Sequence, residues 1–243
     1  MPASDQPRLL AIDSSSFSGS VALCQGETLV AEILLNSKGT HSDTLLQQID
    51  TLLVFAGWRK EDLDLLAVVN GPGSFTGLRI GLATVKGLAQ VLQRPVVPVT
   101  SLQAVAMNLP LSPVPICAFL DARKKEVYSQ LFEWRDNGPV AISAAQVAPP
   151  QKVLSELQGQ VALVGDGVPL YREEIERTLA GRVLLPAAPA HRLKASQAAW
   201  LALKAWGKKD FLPPAELLPC YIRPSDAELN PPAKQSVRAR VSC

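Results

Sequence analysis

Apolar runs separated by turn residues divide the first half of the chain into alternating strands and helices. Three short runs, at 9–15, 20–26 and 29–35, are typical of strands and predict an antiparallel meander. A capping box that starts at Thr40 precedes apolar residues at helical spacing, and with Gly57 as the stop they predict a helix over 41–56. The pattern continues with strands at 63–70 and 95–100 and with helices at 76–92 and 101–108. The first half is therefore predicted to read β-β-β-α-β-α-β-α.

The second half repeats this pattern in a shorter form. After a proline-rich stretch at 110–115, an apolar strand ends at Asp121 as the opening strand ends at Asp13, and an alternating strand follows. Residues 161–170 similarly resemble 66–75, and helices are predicted near 150–158, 169–180 and 195–206. These repeats predict two duplicated lobes, at 1–110 and 111–229, and a tail at 230–243 that is expected to be flexible.

Composition narrows the class of protein but does not identify a partner. The 243 residues are 47% hydrophobic and carry a net charge of only +2, which is too small to predict a nucleic-acid or membrane surface. We expect a cytoplasmic protein without a membrane partner, because no apolar run approaches the ~20 residues of a membrane helix and the start lacks a secretion signal. The four cysteines show no CxxC spacing, and Cys24 and Cys117 are expected to be buried thiols.

The glycine turn between the strand 63–70 and the helix 76–92 is a candidate anion site. Gly71, Gly73 and Ser74 would present backbone N–H groups at a helix N-terminus, where phosphates bind. The spacing matches neither a P-loop nor a dinucleotide fingerprint. Two hypotheses remain, a generic anion-accepting turn and glycines that merely shape a tight turn.

Asp13 and Asp121 are candidate ligands of a metal-bound nucleotide. Each ends the first strand of its half, so the two would face one another across a cleft if the lobes pack as a pair. The alternative is that each aspartate caps a turn, and the absence of other acids nearby in sequence favours it. The two histidines, His41 and His191, fit no metal-binding spacing, so no metal site is expected.

The helix 76–92 carries an almost bare stripe, in which Gly77, Gly81 and Thr84 recur at three- and four-residue spacing. Such a stripe permits close packing either on the chain's own sheet or against another chain. The apolar faces of this helix and of the helix 41–56 favour an association surface.

Four segments carry a resemblance to a known family. LLAIDSSSFSGSVAL, HSDTLLQQIDTLL, NGPGSFTGLRIGLATVKGLAQVLQRPVVPVTSL and the closing CYIRPSDAE resemble the bacterial TsaB (YeaZ) proteins. The resemblance implies an α/β chain with the actin-like ATPase fold (ASKHA, ribonuclease H-like) of two duplicated lobes. It also implies a part in forming threonylcarbamoyladenosine next to the anticodon of tRNA, the substrate of a complex with a TsaD-like catalytic subunit and a TsaE-like ATPase.

The resemblance further implies an accessory subunit rather than an enzyme. The catalytic relative carries a metal-binding histidine pair after a similar glycine loop, whereas 99–105 here contains no histidine. ATP or ADP would bind weakly or only within the complex. The first-lobe helices would pair with the TsaD-like subunit or, when it is absent, with a second copy, through His41, Leu45, Leu46, Ile49, Leu52, Leu53, Arg79, Ile80, Ala83 and Lys86.

Alternatives to this hypothesis come from other classes of protein. A self-sufficient ATPase or kinase would use Asp13 and Asp121, and a protease would need a nucleophile that no G-x-S-x-G elbow supplies. The tail at 230–243 matches no motif of the family, and its basic residues would either contact tRNA or be disordered.

Overall fold

The computed structural model describes residues 6–36, 41–136 and 138–223, with only the backbone for His41, Ser42 and Asp43. The order of elements predicted for the first half is confirmed, and the helix predicted over 41–56 has those bounds. The elements are β1 (Arg8–Asp13), β2 (Gly19–Gln25), β3 (Thr28–Leu35), α1 (His41–Ala56), β4 (Leu65–Gly71), α2 (Phe75–Leu92), β5 (Val96–Thr100) and α3 (Ser101–Ala106). The capping box at Thr40 and the tail at 230–243 lie outside the described residues.

The second half contains the predicted elements and three further short strands. Its elements are β6 (Ile116–Asp121), β7 (Val127–Arg135), β8 (Gly138–Ala141), β9 (Gln146–Ala148), α4 (Pro150–Glu156), β10 (Val161–Val164), α5 (Gly167–Leu170), α6 (Arg172–Leu179), β11 (Val183–Leu184) and α7 (Ala195–Lys208). The three further strands are β8, β9 and β11. The helix predicted near 169–180 is divided in two at Tyr171. None of the helices in the described ranges is long and apolar enough to cross a membrane.

The two sheets have the same topology, which confirms the duplication. The first sheet has the order β3-β2-β1-β4-β5 and the second β8-β7-β6-β10-β11, with β9 added beside β7. In the first sheet the central strand β1 runs antiparallel to β2 and parallel to β4. In the second sheet the central strand β6 likewise runs antiparallel to β7 and parallel to β10. The loops that follow β1 and β6, and those that follow β4 and β10, therefore occupy equivalent places.

Each face of the first sheet is covered by helices from a different half of the chain. Side chains alternate along β1, so Leu10 and Ile12 face α1 and α2 while Leu9 and Ala11 face the opposite side. That opposite side packs against α7, whose small residues allow the helix to lie close to the strands. The strands β1, β2 and β4 are thus buried on both faces, as their continuous apolar sequences require, whereas the edge strand β3 is half-buried to exposed.

Helix α7 packs on the sheet of the other half, and α3 contacts both sheets. The side chains of α3, led by Leu102 and Val105, pack against β6 and β7 of the second sheet, and the opposite face of that sheet packs against α4 and α6. The sequence-based division near residue 110 placed α3 with the first lobe and α7 with the second. Helical periodicity could not indicate these packing contacts, because it shows that a helix has an apolar face and does not show which sheet covers that face.

Candidate functional site

A cleft of about 560 Å³ lies between the two lobes. It is lined by the loop after β1 (15–18), the turn into α2 (72–76), the end of β6 with its following turn (120–124) and residues 191–193. Tyr128, Asp166 and Leu170 also line it, together with Arg223 from the end of the described chain. Three of these segments follow the carboxyl ends of strands, which is where open α/β sheets place their ligands.

Asp13 stabilises the first-lobe wall and is not among the residues that line the cleft. Its side chain is fully buried, and Oδ1 accepts hydrogen bonds from the Ser15 backbone N–H (2.9 Å) and from Ser15 Oγ (2.6 Å). The Ser15 carbonyl in turn accepts a hydrogen bond from the Ser74 N–H at 2.7 Å. Asp13 therefore has the turn-capping geometry that the sequence left as the alternative to a ligand.

The glycines of the turn before α2 are in close contact with the chain's own backbone. A Cβ at Gly73 would lie 2.2 Å from the Ser15 carbonyl oxygen, and one at Gly71, whose φ is +123°, would lie 2.5 Å from the Cys220 carbonyl oxygen. Ser74 caps α2 by accepting a hydrogen bond from the Gly77 N–H at 3.3 Å. These contacts account for the shape of the turn, and because the Ser74 N–H is already bonded, the anion-binding role of this turn stays a prediction.

The bare stripe of α2 also packs within the chain. A Cβ at Gly81 would lie 2.3 Å from Ser14 Oγ, and that hydroxyl donates a hydrogen bond to the Gly77 carbonyl at 2.8 Å. Gly87, by contrast, has nothing within 4 Å of its Cβ position. The first two turns of the stripe are therefore explained by the loop after β1, and only the Gly87 end is open to another molecule.

Asp121 lies at the position equivalent to Asp13, but it faces the cleft. Its Oδ1 accepts a hydrogen bond from the Arg123 N–H (2.9 Å), and its Oδ2 lies 3.5 Å from the Arg123 guanidinium. The Asp121 N–H donates to Asp166 Oδ1 (2.9 Å), which the sequence did not single out as a site residue. Burial, with a smaller contribution from the Asp121 carboxylate, raises the pKa of Asp166.

Residues 122–126 form a turn between β6 and β7 whose three central residues, Arg123, Lys124 and Lys125, are cationic and exposed. Arg123, Lys124 and Lys125 have φ values of 59°, 53° and 60°, so three consecutive side-chain-bearing residues are in the left-handed region. The turn is closed by the Glu126 N–H, which donates to the Arg123 carbonyl at 3.0 Å. Left-handed residues other than glycine are strained and concentrate at functional sites. We call residues 122–126 the cationic turn.

Residues 191–192 bring two further polar side chains to the cleft. Arg192 donates a hydrogen bond to Ser18 Oγ at 3.0 Å, and His191 Nδ1 accepts one from the Gly165 N–H at 3.4 Å. Burial lowers the pKa of His191. Neither role could be predicted from the sequence, because these residues follow no motif and tertiary packing alone brings Arg192 next to a loop 174 residues earlier.

The charge of the cleft favours an anion. Its lining contains four cationic side chains, Arg123, Lys124, Arg192 and Arg223, against the two carboxylates Asp121 and Asp166. Arg223 is paired with the Glu126 carboxylate, which leaves three cations against the two carboxylates. Across the described ranges, no three His, Cys, Asp or Glu side chains come together as a metal site would require.

The residues predicted to form the partner surface are divided between the core and the exposed surface of the first lobe. Leu45, Ile49, Leu52 and Leu53 are buried in the core between α1, α2 and the first sheet, so they are not exposed to a partner in this structure. Of the remaining predicted residues, Leu46, Arg79 and Ala83 are exposed, Ile80 and Lys86 are half-buried, and the side chain of His41 lies outside the described residues. Exposed apolar residues that the prediction missed are Val54 (75% exposed), Phe55 (80%) and Val91 (81%).

Comparisons with known proteins agree with this architecture. The family model described as "TsaD: tRNA N6-adenosine threonylcarbamoyltransferase" matches residues 28–196. The chain is 31% identical over 228 residues to the tRNA threonylcarbamoyladenosine biosynthesis protein TsaB of Bacillus subtilis, covering 90% of this chain and 96% of that protein. It is 33% identical to the TsaB protein of Haemophilus influenzae over 88% of this chain and 93% of that protein.

Solved structures show the same fold. YeaZ from Pseudomonas aeruginosa superposes with a TM-score of 0.76 at 29% identity, covering 88% of this chain and 99% of that chain. A second Pseudomonas aeruginosa structure, described as similar to peptidase YeaZ, has a TM-score of 0.77 at 29% identity, covering 89% of this chain and 100% of that chain. EutJ from Carboxydothermus hydrogenoformans, with a TM-score of 0.51 at 13% identity over 82% and 90% of the two chains, shares the fold alone. The predicted actin-like ATPase fold is confirmed.

Proposed function

This chain belongs to the TsaB family of tRNA threonylcarbamoyladenosine biosynthesis proteins, and from that premise we propose that it is an accessory, non-catalytic subunit that binds and activates a TsaD-type catalytic subunit. A TsaE-like ATPase would complete the complex, tRNA would be the substrate of the whole, and the site of action would be the cytoplasm. When the catalytic subunit is absent, a second copy of this chain would occupy the same surface.

The observation that carries the proposal is the apolar outer face of α1 and α2. Val54 and Phe55 project from α1, and Val91 projects from α2, each at least three-quarters exposed. Scattered single apolar residues are ordinary on a protein surface, but a set concentrated on two neighbouring helices is typical of an interface. The exposed residues Ala83 and Gly87 have little or no side chain, so a partner helix could approach the backbone of α2 closely.

Reconstitution tests the proposal. Unmodified tRNA, threonylcarbamoyl-adenylate and the TsaD-type subunit are combined with and without this chain, and the modified nucleoside is measured by mass spectrometry. We expect product only when both proteins are present, and no product from this chain alone. Product at an equal rate without this chain would contradict the accessory role.

The surface is tested with matched charge substitutions. Phe55→Asp should abolish binding to the TsaD-type subunit, because it places a carboxylate in the centre of an apolar contact, while the fold is retained because the side chain is exposed. Leu184→Asp on β11 is the control, since it changes an exposed apolar residue (47% exposed) of the second lobe. Equal loss of binding in both variants would place the interface elsewhere. Ile49 is unsuitable for this test because a charge there would disrupt the core.

The cationic cleft favours a second candidate function, the binding of ATP or ADP. Gly73, Ser74 and Asp121 line it together with Arg123 and Arg192, and its excess of cations suits phosphate groups. Calorimetric titration with ADP should give binding that is weakened by Arg192→Ala, because the Arg192 side chain lines the cleft and hydrogen-bonds to Ser18 Oγ of the first lobe. Steady ATP turnover that is lost in Asp121→Ala would instead indicate a self-sufficient nucleotide-dependent enzyme.

A further inference from the structure

The last described residues connect the two lobes across the rim of the cleft. We call Leu217–Arg223 the strap. Its first end is embedded in the first lobe, where Leu217 is fully buried in the core beneath α1 and α2. The Cys220 N–H donates to the Asn70 carbonyl at 2.7 Å, and Asn70 Nδ2 donates to the Leu218 carbonyl at 3.2 Å. These bonds hold the strap along the end of β4, where Gly71 leaves room for it.

Tyr221 is the last residue of the strap that packs on the first lobe. Its ring lies against Phe75, with centroids 4.8 Å apart, and its hydroxyl accepts a hydrogen bond from Arg79 Nε at 3.3 Å. Phe75 lines the cleft and Arg79 lies on the exposed side of α2. The strap therefore contacts the first-lobe wall of the cleft and the outer face of α2 through one side chain.

The next two residues of the strap, Ile222 and Arg223, contact the second lobe. Ile222 packs against the cluster formed by α3, β6 and β7. Arg223 donates a hydrogen bond to the Ala122 carbonyl at 2.9 Å and forms an ion pair with the Glu126 carboxylate. The Arg223 side chain is 13% exposed and that of Glu126 is 33% exposed, so the pair is shielded from solvent mainly on the arginine side. Ala122 and Glu126 are the two ends of the cationic turn, and Arg223 holds both.

From these contacts we propose that the strap is a latch: Arg223 keeps the cationic turn in its strained conformation and the cleft closed, and release of Arg223 lets the lobes move apart. The strained backbone of residues 123–125 persists only if surrounding contacts hold it, and Arg223 supplies two of them. The strap passes from the first lobe to the second between the adjacent residues Tyr221 and Ile222. The lobes therefore cannot separate far while both ends of the strap are bound. The inference rests on these contacts and not on the proposed function.

Limited trypsin digestion tests the hold on the turn, because trypsin cleaves after Arg123, Lys124 and Lys125, all of which are exposed. Cleavage of a folded chain requires local opening. We expect Arg223→Ala to be cut at the turn on the order of tenfold faster than the unaltered chain. The control is Arg172→Ala, which removes another arginine of the second lobe whose ion pair with Glu176 lies within α6. An unchanged rate in Arg223→Ala, or an equal increase in Arg172→Ala, would overturn the proposal.

Two further variants separate the latch from general loss of stability. Glu126→Ala removes the partner of Arg223 from the other side, so it should accelerate cleavage at the same turn. The double variant should be cut no faster than Arg223→Ala, because the ion pair that Glu126→Ala breaks is already lost in Arg223→Ala. Additive acceleration, or cleavage spread over the whole chain, would show that the substitutions act through global unfolding and would count against the latch.

Opening of the cleft is measured independently with spin labels on cysteines introduced at Leu35 and Glu173. Leu35 pairs with Gly19 beside the first-lobe wall, and Glu173 follows shortly after Leu170 of the cleft lining. Cys220 and Cys243 are replaced by serine. Cys24 and Cys117 remain, because burial raises the pKa of Cys24 to about 11 and of Cys117 to about 12 and keeps both thiols unreactive. The distance distribution should lengthen and broaden in Arg223→Ala, and an identical distribution would overturn the proposal.

Discussion

Asp13 and Asp121 occupy equivalent positions at the ends of β1 and β6, and each carboxylate accepts a hydrogen bond of 2.9 Å from the backbone N–H two residues further on. Around Asp13 this turn is sealed, because the carboxylate is fully buried and the following loop is bonded to the turn before α2. Around Asp121 the same turn is open to the cleft and continues into a strained cationic segment. The two lobes have thus kept the same hydrogen bond between an aspartate and the backbone N–H two residues later. In the first lobe this aspartate is buried in the wall of the cleft, and in the second lobe it faces the cleft.

Close glycine packing is common to the two walls, and its loss should have the largest effect. A Cβ at Gly165 would lie 2.3 Å from the Phe119 carbonyl oxygen, and one at Gly73 would lie 2.2 Å from that of Ser15. Each glycine-to-alanine change should lower the free energy of unfolding by about 3 kcal/mol or more in denaturant titrations. Gly165→Ala should be the worse of the two, since its φ is +132°.

Gly159→Ala is the control for backbone strain alone. Gly159 has a φ of +64° and nothing within 4 Å of its Cβ position, so alanine there should cost only about 1–2 kcal/mol. If Gly159→Ala were as damaging as Gly165→Ala, close packing would not distinguish these positions.

The two aspartates should differ in their contribution to stability. Asp13→Ala leaves the buried N–H and hydroxyl of Ser15 without their acceptor, and we expect a loss of about 2–4 kcal/mol. Asp121→Ala removes an acceptor from the exposed Arg123 and should cost about 1 kcal/mol. Both values come from chemical denaturation monitored by circular dichroism. Similar losses in the two variants would refute the distinction between a sealed wall and an open one.

Two glycines of α2 should respond differently to substitution, because only Gly81 packs against the loop after β1. Gly81→Ala should destabilise by about 1–3 kcal/mol, because its methyl group would displace Ser14 Oγ from the hydrogen bond with Gly77. Gly87→Ala, in open space on the same helix, should stabilise by about 0.5–1 kcal/mol. Thermal unfolding of the two variants gives the sign of each change in stability. Higher stability in both variants would mean that the Ser14 side chain can move aside without loss of stability.

The cationic turn should become more stable when its strain is relieved. Replacing Lys124 and Lys125 by Asn-Gly supplies the residues that a two-residue hairpin turn with positive φ prefers. A gain of about 0.5–1 kcal/mol in the free energy of unfolding is expected. A loss of stability would indicate that contacts of the two lysines outweigh the strain of their backbone.

The smallest effect concerns Asp166 and depends on pH. Its pKa is raised above the ordinary value of 3.8, so its contribution to stability is fully present below that value and is lost as pH rises through the folded-state pKa. Asp166→Asn keeps an acceptor for the Asp121 N–H and cannot ionise, so it should gain roughly 0.5–1 kcal/mol near neutral pH. The gain should vanish in acid. Denaturant midpoints across pH check this, and a constant difference would exclude ionisation as the cause.

Local sequence patterns predicted most elements but not their tertiary partners. Helix α1 and the strands of the first lobe follow from periodicity and turn residues, and α2 begins one residue before the predicted bound. Leu45 and Ile49, which were predicted to contact a partner, are buried in the core, because an apolar helical face has the same sequence signature whether it meets a core or another chain. Arg192 and Arg223 join the cleft through contacts more than 90 residues distant in sequence, for which no local pattern exists.

During synthesis, the first sheet leaves the ribosome well before the helix that covers its second face. Strand β5 ends at Thr100 and α7 begins at Ala195, so 195 − 100 = 95 residues must be added first. At roughly 5–20 residues per second, this leaves one apolar face of the sheet uncovered for about 5–20 s. The nascent first lobe is thus a natural substrate for chaperones, and an isolated fragment ending near residue 110 should aggregate rather than fold.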